Sequence, residues 1–309
     1  MRILVTGACG YKGTVLVPKL LAAGHTVTAL DTMWFGNFLE KTQAFYPGLT
    51  FIKGDVRDTD LIELSGYDAI IHLASIANDP CGDLNPKLTW EVSVLATMQL
   101  AEKAVRAGVQ HFIYASSGSV YGISEELQVT ENVLLLPLSE YNKTKMCAER
   151  VLLSYAKKMN IQIVRPATVC GVSPRMRLDV SVNLLTMAAL TNQEITVFGG
   201  EQVRPNIHID DITDLYLFLL KHPEISGIFN AGFENMSILE IAQSVANVIP
   251  TNIVVTPSED LRSYRLNSDK LLETGFKPRK TVADAVSEII ASYKSGDLKS
   301  EERENLQRW

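Results

Sequence analysis

Through its first half the chain alternates short apolar, β-branched runs with longer stretches of helical periodicity. The runs predict strands at residues 2–6, 26–30, 50–52, 69–73, 111–115 and 161–165. The intervening stretches predict helices near 11–23, 85–107 and 140–159. Strands apolar on both faces and separated by helices belong to a parallel, doubly wound α/β sheet whose crossovers are right-handed. Gly24 and Gly108 stand where helix ends need them. Beyond about Val172 the pattern loosens, punctuated by Pro174, Gly199, Gly200, Pro205 and Pro223, with helices expected near 211–221, 238–248 and 281–294. This predicts a first domain over 1–172, joined by a later returning segment, and a smaller mixed α/β lobe over 173–309. The charged stretch 299–308 reads as a solvated end.

Composition narrows the function classes. A net charge of −6 argues against a nucleic-acid partner, since phosphate backbones call for an excess of Lys and Arg. Cys9, Cys81, Cys147 and Cys170 show no CxxC pairing and no metal-ligand spacing with the histidines, so no metal is expected and the thiols read as reduced. The N-terminus lacks a signal-peptide layout and no apolar run approaches ~18 residues, so a cytoplasmic protein without a membrane span is expected.

Candidate chemistry begins at the first strand. It feeds the glycine-rich turn Thr6-Gly7-Ala8-Cys9-Gly10-Tyr11-Lys12-Gly13 and then a helix. Glycines at this spacing let a backbone approach a pyrophosphate, and a helix N-terminus offers free N–H groups to its charge. Asp31 ends the second strand, where a carboxylate meets adenosine ribose hydroxyls and repels a 2′-phosphate, favouring NAD over NADP. Asp55-Val56 and His72-Leu73-Ala74-Ser75 follow the next strands of the sheet. His72, flanked by apolar residues, reads as a satisfied core histidine. Tyr141 and Lys145 lie one helical turn apart, so an ammonium stands beside a phenol and favours its phenolate. The run Ser116-Ser117-Gly118-Ser119 follows the fifth strand and offers hydroxyls to a carbonyl or alkoxide.

Together, Thr6-Gly7-x-x-Gly10-x-x-Gly13, Asp31, Asp55-Val56, His72-Leu73-Ala74, Ser116-Ser117-x-x-Val120-Tyr121-Gly122, Tyr141-x-x-x-Lys145 and Arg204-Pro205-x-Ile207-His208-x-Asp210-Asp211 resemble the extended short-chain dehydrogenases/reductases, in the nucleotide-sugar epimerase/dehydratase group typified by UDP-glucose 4-epimerase. The resemblance implies a Rossmann-type sheet with a C-terminal substrate lobe, NAD as cofactor and a nucleoside-diphosphate sugar as substrate. It implies Tyr141 as base, Lys145 as its partner and nicotinamide-ribose ligand, and Ser117 as the hydroxyl polarising the reacting oxygen. Gly7, Gly10, Tyr11, Lys12, Gly13, Asp31, Asp55, Val56, Leu73, Ala74, Ser75, Ser93 and Pro166 would surround the cofactor. Ser117, Ser119, Thr168, Asn183 and Arg204 would meet the substrate, with Arg262, Arg175 and Arg177 as weaker phosphate candidates. Members of the family that eliminate water carry an Asp-Glu pair where this chain has Gly118-Ser119. Decarboxylating members carry a Glu at the position of Ser119, and those epimerising at C3 and C5 pair a Cys with a His at the positions of Ser119 and Asn183. The resemblance therefore implies C4 chemistry: a 4-epimerase, or alternatively a 4-dehydrogenase or ketoreductase. A non-catalytic NAD(H)-sensing protein is a more distant alternative. Ser93 and Thr168 replace asparagines frequent in the family, which suggests a variant pocket, for instance for a heptose or deoxysugar. The helices expected at 85–107 and 140–159 resemble those through which family members form homodimers.

Overall fold

The computed structural model describes residues 1–123, 126, 128–258 and 263–298. In chain order its strands are β1 (Arg2–Thr6), β2 (Thr26–Asp31), β3 (Leu49–Lys53), β4 (Ala69–His72), β5 (His111–Ala115), β6 (Asn160–Pro166), β7 (Thr168–Cys170), β8 (Glu194–Phe198), β9 (Val203–His208), β10 (Gly227–Ala231), β11 (Glu234–Ser237) and β12 (Asn252–Thr256). The helices are α1 (Gly13–Ala22), α2 (Glu40–Phe45), α3 (Asp79–Leu84), α4 (Pro86–Trp90), α5 (Ala96–Ala107), α6 (Glu140–Leu153), α7 (Ser181–Asn192), α8 (Ile209–Lys221), α9 (Ile238–Ala246), α10 (Asp269–Glu273) and α11 (Val282–Ser295). Seven strands form one sheet in the order β10-β6-β5-β4-β1-β2-β3, and the pairings among β1 to β6 are parallel. The doubly wound Rossmann-type sheet expected from the pattern is therefore present.

The chain divides into two compact units, the first comprising Met1–Val120, Pro137–Arg165 and Thr213–Phe229. Register explains how the first unit's apolar runs are used. Leu4 aligns with Ile70, Ile70 with Phe112, and Phe112 with Ile161, so alternate residues share one face. That face packs under Ala96, Leu100, Ala101 and Ala104 of α5 and Ala148 and Leu152 of α6. On β6, Gln162 takes the opposite alternation. Its Nε2 donates to the carbonyls of Leu219, His222 and Ile225, tying the C-terminal end of α8 to the sheet.

The second unit comprises Tyr121–Leu136, Pro166–Ile212 and Asn230–Trp309. Its core gathers Val182, Leu185 and Ala189 of α7, Ile241 and Val245 of α9, and Val282, Val286 and Ile290 of α11 around Ile195 and Val197 of β8. The remaining strands make a β11-β9-β7 sheet and a β12-β8 pair.

Two local expectations change. The helix expected at 85–107 starts with α4, capped by Asn85 Oδ1, which accepts from Leu88 N, and passes through a π-helical turn at Glu91–Leu95 before α5. The helix expected to reach 159 ends as α6 at Leu153. No helix among the described residues is long and apolar enough to cross a membrane.

Candidate active site

Because the strands run parallel, the first unit delivers the residues after β1, β2, β4 and β5 to one edge of its sheet. The three glycines of the first turn answer different demands. Gly7 has φ +67°, and a Cβ there would sit 2.7 Å from Ala74 N, so this position serves the close approach of β1 and β4. A Cβ on Gly13 would lie 2.4 Å from Ala8 O, so this one lets α1 pack on the turn. Gly10 is different: its Cβ would meet only Gly7 O, at 3.2 Å. That contact is tight but milder than those at Gly7 and Gly13, so packing within the turn presses less on Gly10, whose bare backbone suits the approach of a pyrophosphate. Tyr11 is buried and Lys12 half-buried in the same turn.

Asp31 closes β2. Its Oδ2 accepts from Cys9 N at 2.9 Å and its Oδ1 from Met33 N at 2.7 Å, so the carboxylate is fixed against the glycine turn. Val56 is buried. Partial burial works against charge on Asp55, but the Arg57 guanidinium bonded to it prevails and holds the carboxyl below the ordinary range. After β4, Leu73 N donates to Thr6 O and Ala74 N to Thr6 Oγ1, and the Ser75 hydroxyl bonds Ser93 at 3.1 Å. Ser93 lies buried within the π turn.

His72 is fully buried. Thr97 Oγ1 donates its one proton to Ser93 O, so it accepts from His72 Nε2, leaving Nδ1 to accept from Thr6 Oγ1 at 2.6 Å. This network requires the neutral ring. Burial, with the Lys145 charge second, lowers its pKa to about 3. The core role expected for His72 is the one the structure shows.

The reactive groups come from the turn after β5 and from α6. Ser139 caps α6, its Oγ accepting from Asn142 N, and the first turn presents Tyr141. One turn later the buried Lys145 donates from Nζ to Ala115 O at 2.7 Å. Its Nζ stands 5.7 Å from the centre of the Tyr141 ring and 4.9 Å from that of Tyr114. Burial pushes the Lys145 ammonium well below its usual range, Lys12 adds to this, and Glu149 opposes it. Ser117 Oγ lies 2.7 Å from Ser119 Oγ, and Ser119 in turn donates to Asn142 Oδ1 on α6. Asn142 escaped the sequence reading, as did the buried cluster in which Glu149 accepts from Ser116 Oγ and from Arg165 Nε and Nη2. Only their spacing from Lys145 hinted at either: Glu149 is at i+4 on the same helical face.

The second unit carries the other candidates. Pro166 ends β6, Thr168 opens β7, and Arg204 lies on β9 with its Nη1 donating to Val203 O. Asn183 is buried and uses its amide internally, Oδ1 accepting from Gly171 N and Nδ2 donating to Arg177 O. Arg177 pairs with Asp179 at 2.6 Å, and the buried Arg175 donates to Met176 O. Arg262 lies outside the described residues. The His208-x-Asp210-Asp211 motif organises this unit: His208 Nε2 lies 3.1 Å from Glu288 Oε2, and Asp211 accepts from Arg279 N and Lys280 N.

The model of the NAD dependent epimerase/dehydratase family matches residues 3–232. The chain belongs to that family. It is an NAD-dependent enzyme, as the glycine turn and Asp31 suggested. It is 32% identical to the uncharacterized UDP-glucose epimerase YtcB of Bacillus subtilis, over 80% of this chain and 82% of the relative. It is 28% identical to a UDP-glucose 4-epimerase of Lactobacillus helveticus, over 94% and 96%. Among solved structures, MoeE5 in complex with UDP-glucose and NAD superposes with a TM-score of 0.83 at 26% identity, covering 96% of this chain and all of that one.

Proposed function

We propose that the protein is a nucleotide-sugar 4-epimerase, acting at C4 of a nucleoside-diphosphate sugar. The observation that carries this reading is the grouping on α6 and the β5 turn of a phenol, a buried ammonium and a hydroxyl pair, with no carboxylate at Gly118 or Ser119. NAD, when bound, would accept hydrogen from C4 and give it back. Tyr141 takes the proton of the 4-hydroxyl as the carbonyl forms and returns it to the other epimer. Lys145 steadies the charge on the phenolate from the next helical turn. Ser117 turns its proton from Ser119 toward the developing carbonyl oxygen, while the Ser119 backbone N–H donates to Ser117 Oγ and the Ser119 hydroxyl stays held by Asn142. Elimination or decarboxylation calls for a further acid–base side chain, and Gly118-Ser119 supplies none.

Thr168 and Arg204 are the proposed substrate contacts of the second unit; the committed amide of Asn183 supports a folding role for that residue instead. Exposed Leu95 and Met98, in the π turn and on α5, support a homodimer in which the 85–107 stretch takes part, with the 140–159 helix as its expected companion. The relatives' names and the UDP-glucose bound to MoeE5 support a nucleotide sugar.

The test is incubation with UDP-glucose, UDP-galactose, UDP-glucuronic acid and dTDP-glucose, reading stereochemistry by NMR and reduced cofactor by absorbance. The C4 epimer should form without net NADH. Stoichiometric NADH with a released keto sugar would point to a dehydrogenase instead. Tyr141→Phe should abolish turnover while retaining NAD; near-normal turnover would refute the assignment.

A further inference from the structure

The segment Asn78-Asp79-Pro80-Cys81-Gly82-Asp83 has the composition of an ordinary turn, yet it folds into α3 against the start of the helix that bears Tyr141. Gly82 is the buried residue of α3, and a Cβ placed on it would lie 2.9 Å from Tyr141 Cβ, 3.0 Å from Tyr141 N and 3.3 Å from Tyr141 Cα. These neighbours are main-chain atoms and the stiff first carbon of a side chain, so nothing flexible can swing aside. The contact is held from several directions. Ser139 Oγ donates to Asp79 Oδ1 at 2.6 Å while capping α6, and Glu140 N donates to Asp83 Oδ1 at 3.2 Å. From α4, Thr89 Oγ1 donates to Gly82 O at 2.9 Å. Asn78 enters α3 with φ +77° and ψ 163°, a conformation that side-chain-bearing residues rarely adopt, and its Oδ1 accepts from Cys81 N. The chain is thus bent sharply so that its one side-chain-free residue meets Tyr141.

We propose that Gly82 is a positioning residue, α3 acting as a buttress that sets where the Tyr141 phenol stands. This rests on the role proposed above for Tyr141. Adding a methyl at Gly82 requires the two elements to part by roughly half an ångström or more before ordinary contact returns. A reacting group misplaced on that scale loses turnover while binding persists.

The test is Gly82→Ala in the full-length, NAD-loaded enzyme, with the nucleotide sugar that the wild type turns over. We expect kcat to fall roughly 10- to 100-fold, with KM and bound NAD within twofold of the wild type. Asp79→Ala, which removes the acceptor of Ser139, should lower kcat several-fold, and Asp79→Asn, which keeps a carbonyl oxygen there, should restore most of it. A soluble Gly82→Ala enzyme with kcat within twofold of the wild type would overturn the proposal. So would a loss of kcat matched by equal losses of NAD and of substrate affinity, which marks general unfolding. Should Gly82→Ala fail to fold, equal kcat for wild type, Asp79→Ala and Asp79→Asn overturns it. Tyr141→Phe separates the two layers: if it is as active as the wild type, the epimerase mechanism falls and the buttress with it. If it is inactive while Gly82→Ala and Asp79→Ala are unaffected, only the buttress falls.

Discussion

Acidification should weaken this protein through His72. The ring is sealed between Thr6 and Thr97, and its hydrogen bonds need one donating and one accepting nitrogen. Its pKa is about 3 in the fold, against an ordinary 6.5. Below pH 6.5 the unfolded chain therefore gains a proton that the native state refuses, and stability falls until the native ring also protonates near pH 3. Each pH unit in that window costs about 1.4 kcal/mol, so moving from pH 7 to pH 5 removes about 2 kcal/mol. Urea unfolding at fixed NAD concentration, at both pH values, measures the loss. His72→Gln keeps a donor for Thr97 and cannot titrate, so its loss over the same interval should be smaller by about 2 kcal/mol. Parallel pH dependences for the two proteins would refute the reasoning.

Two further outcomes follow from buried groups. Glu149 and Arg165 are both inaccessible to water, so Glu149→Ala strands a guanidinium and should destabilise the protein by roughly 3–5 kcal/mol in chemical denaturation, whereas Glu149→Met with Arg165→Leu should fall close to the wild type. Equal losses for single and double variants would contradict this. Burial, reinforced by Asp31, pushes the Cys9 thiol up to about 12, and burial likewise raises Cys170. Both should resist alkylation at pH 8 in the native state and react on unfolding, as peptide mapping would show.

The sheet was legible because its strands are covered on both sides, which leaves near-continuous apolar runs in the sequence. All six strands expected in the first half occur within two residues of their predicted ends. Tyr141 and Lys145 were legible because helical spacing alone puts them on one face. The π turn around Ser93 was not, since one shifted hydrogen-bond register leaves the hydrophobic period intact. Nor was α3: proline, glycine and aspartate suit a turn equally well, and only its contact with α6 makes a helix of them. Asn142 and Glu149 gain their partners from the turn after β5 and from β6, distant in the chain, and no local pattern reports such meetings.

The strand order of the large sheet bears on how the chain assembles during synthesis. β6 lies between β5 and β10, yet β10 leaves the ribosome about sixty residues after β6 ends. At translation speeds of ~5–20 residues per second, the nascent protein carries an uncapped β-edge for several seconds. Gln162 waits through the same interval for the carbonyls at the end of α8. That interval is when a holdase would have most to shield, and when a second nascent chain could zip onto the wrong neighbour.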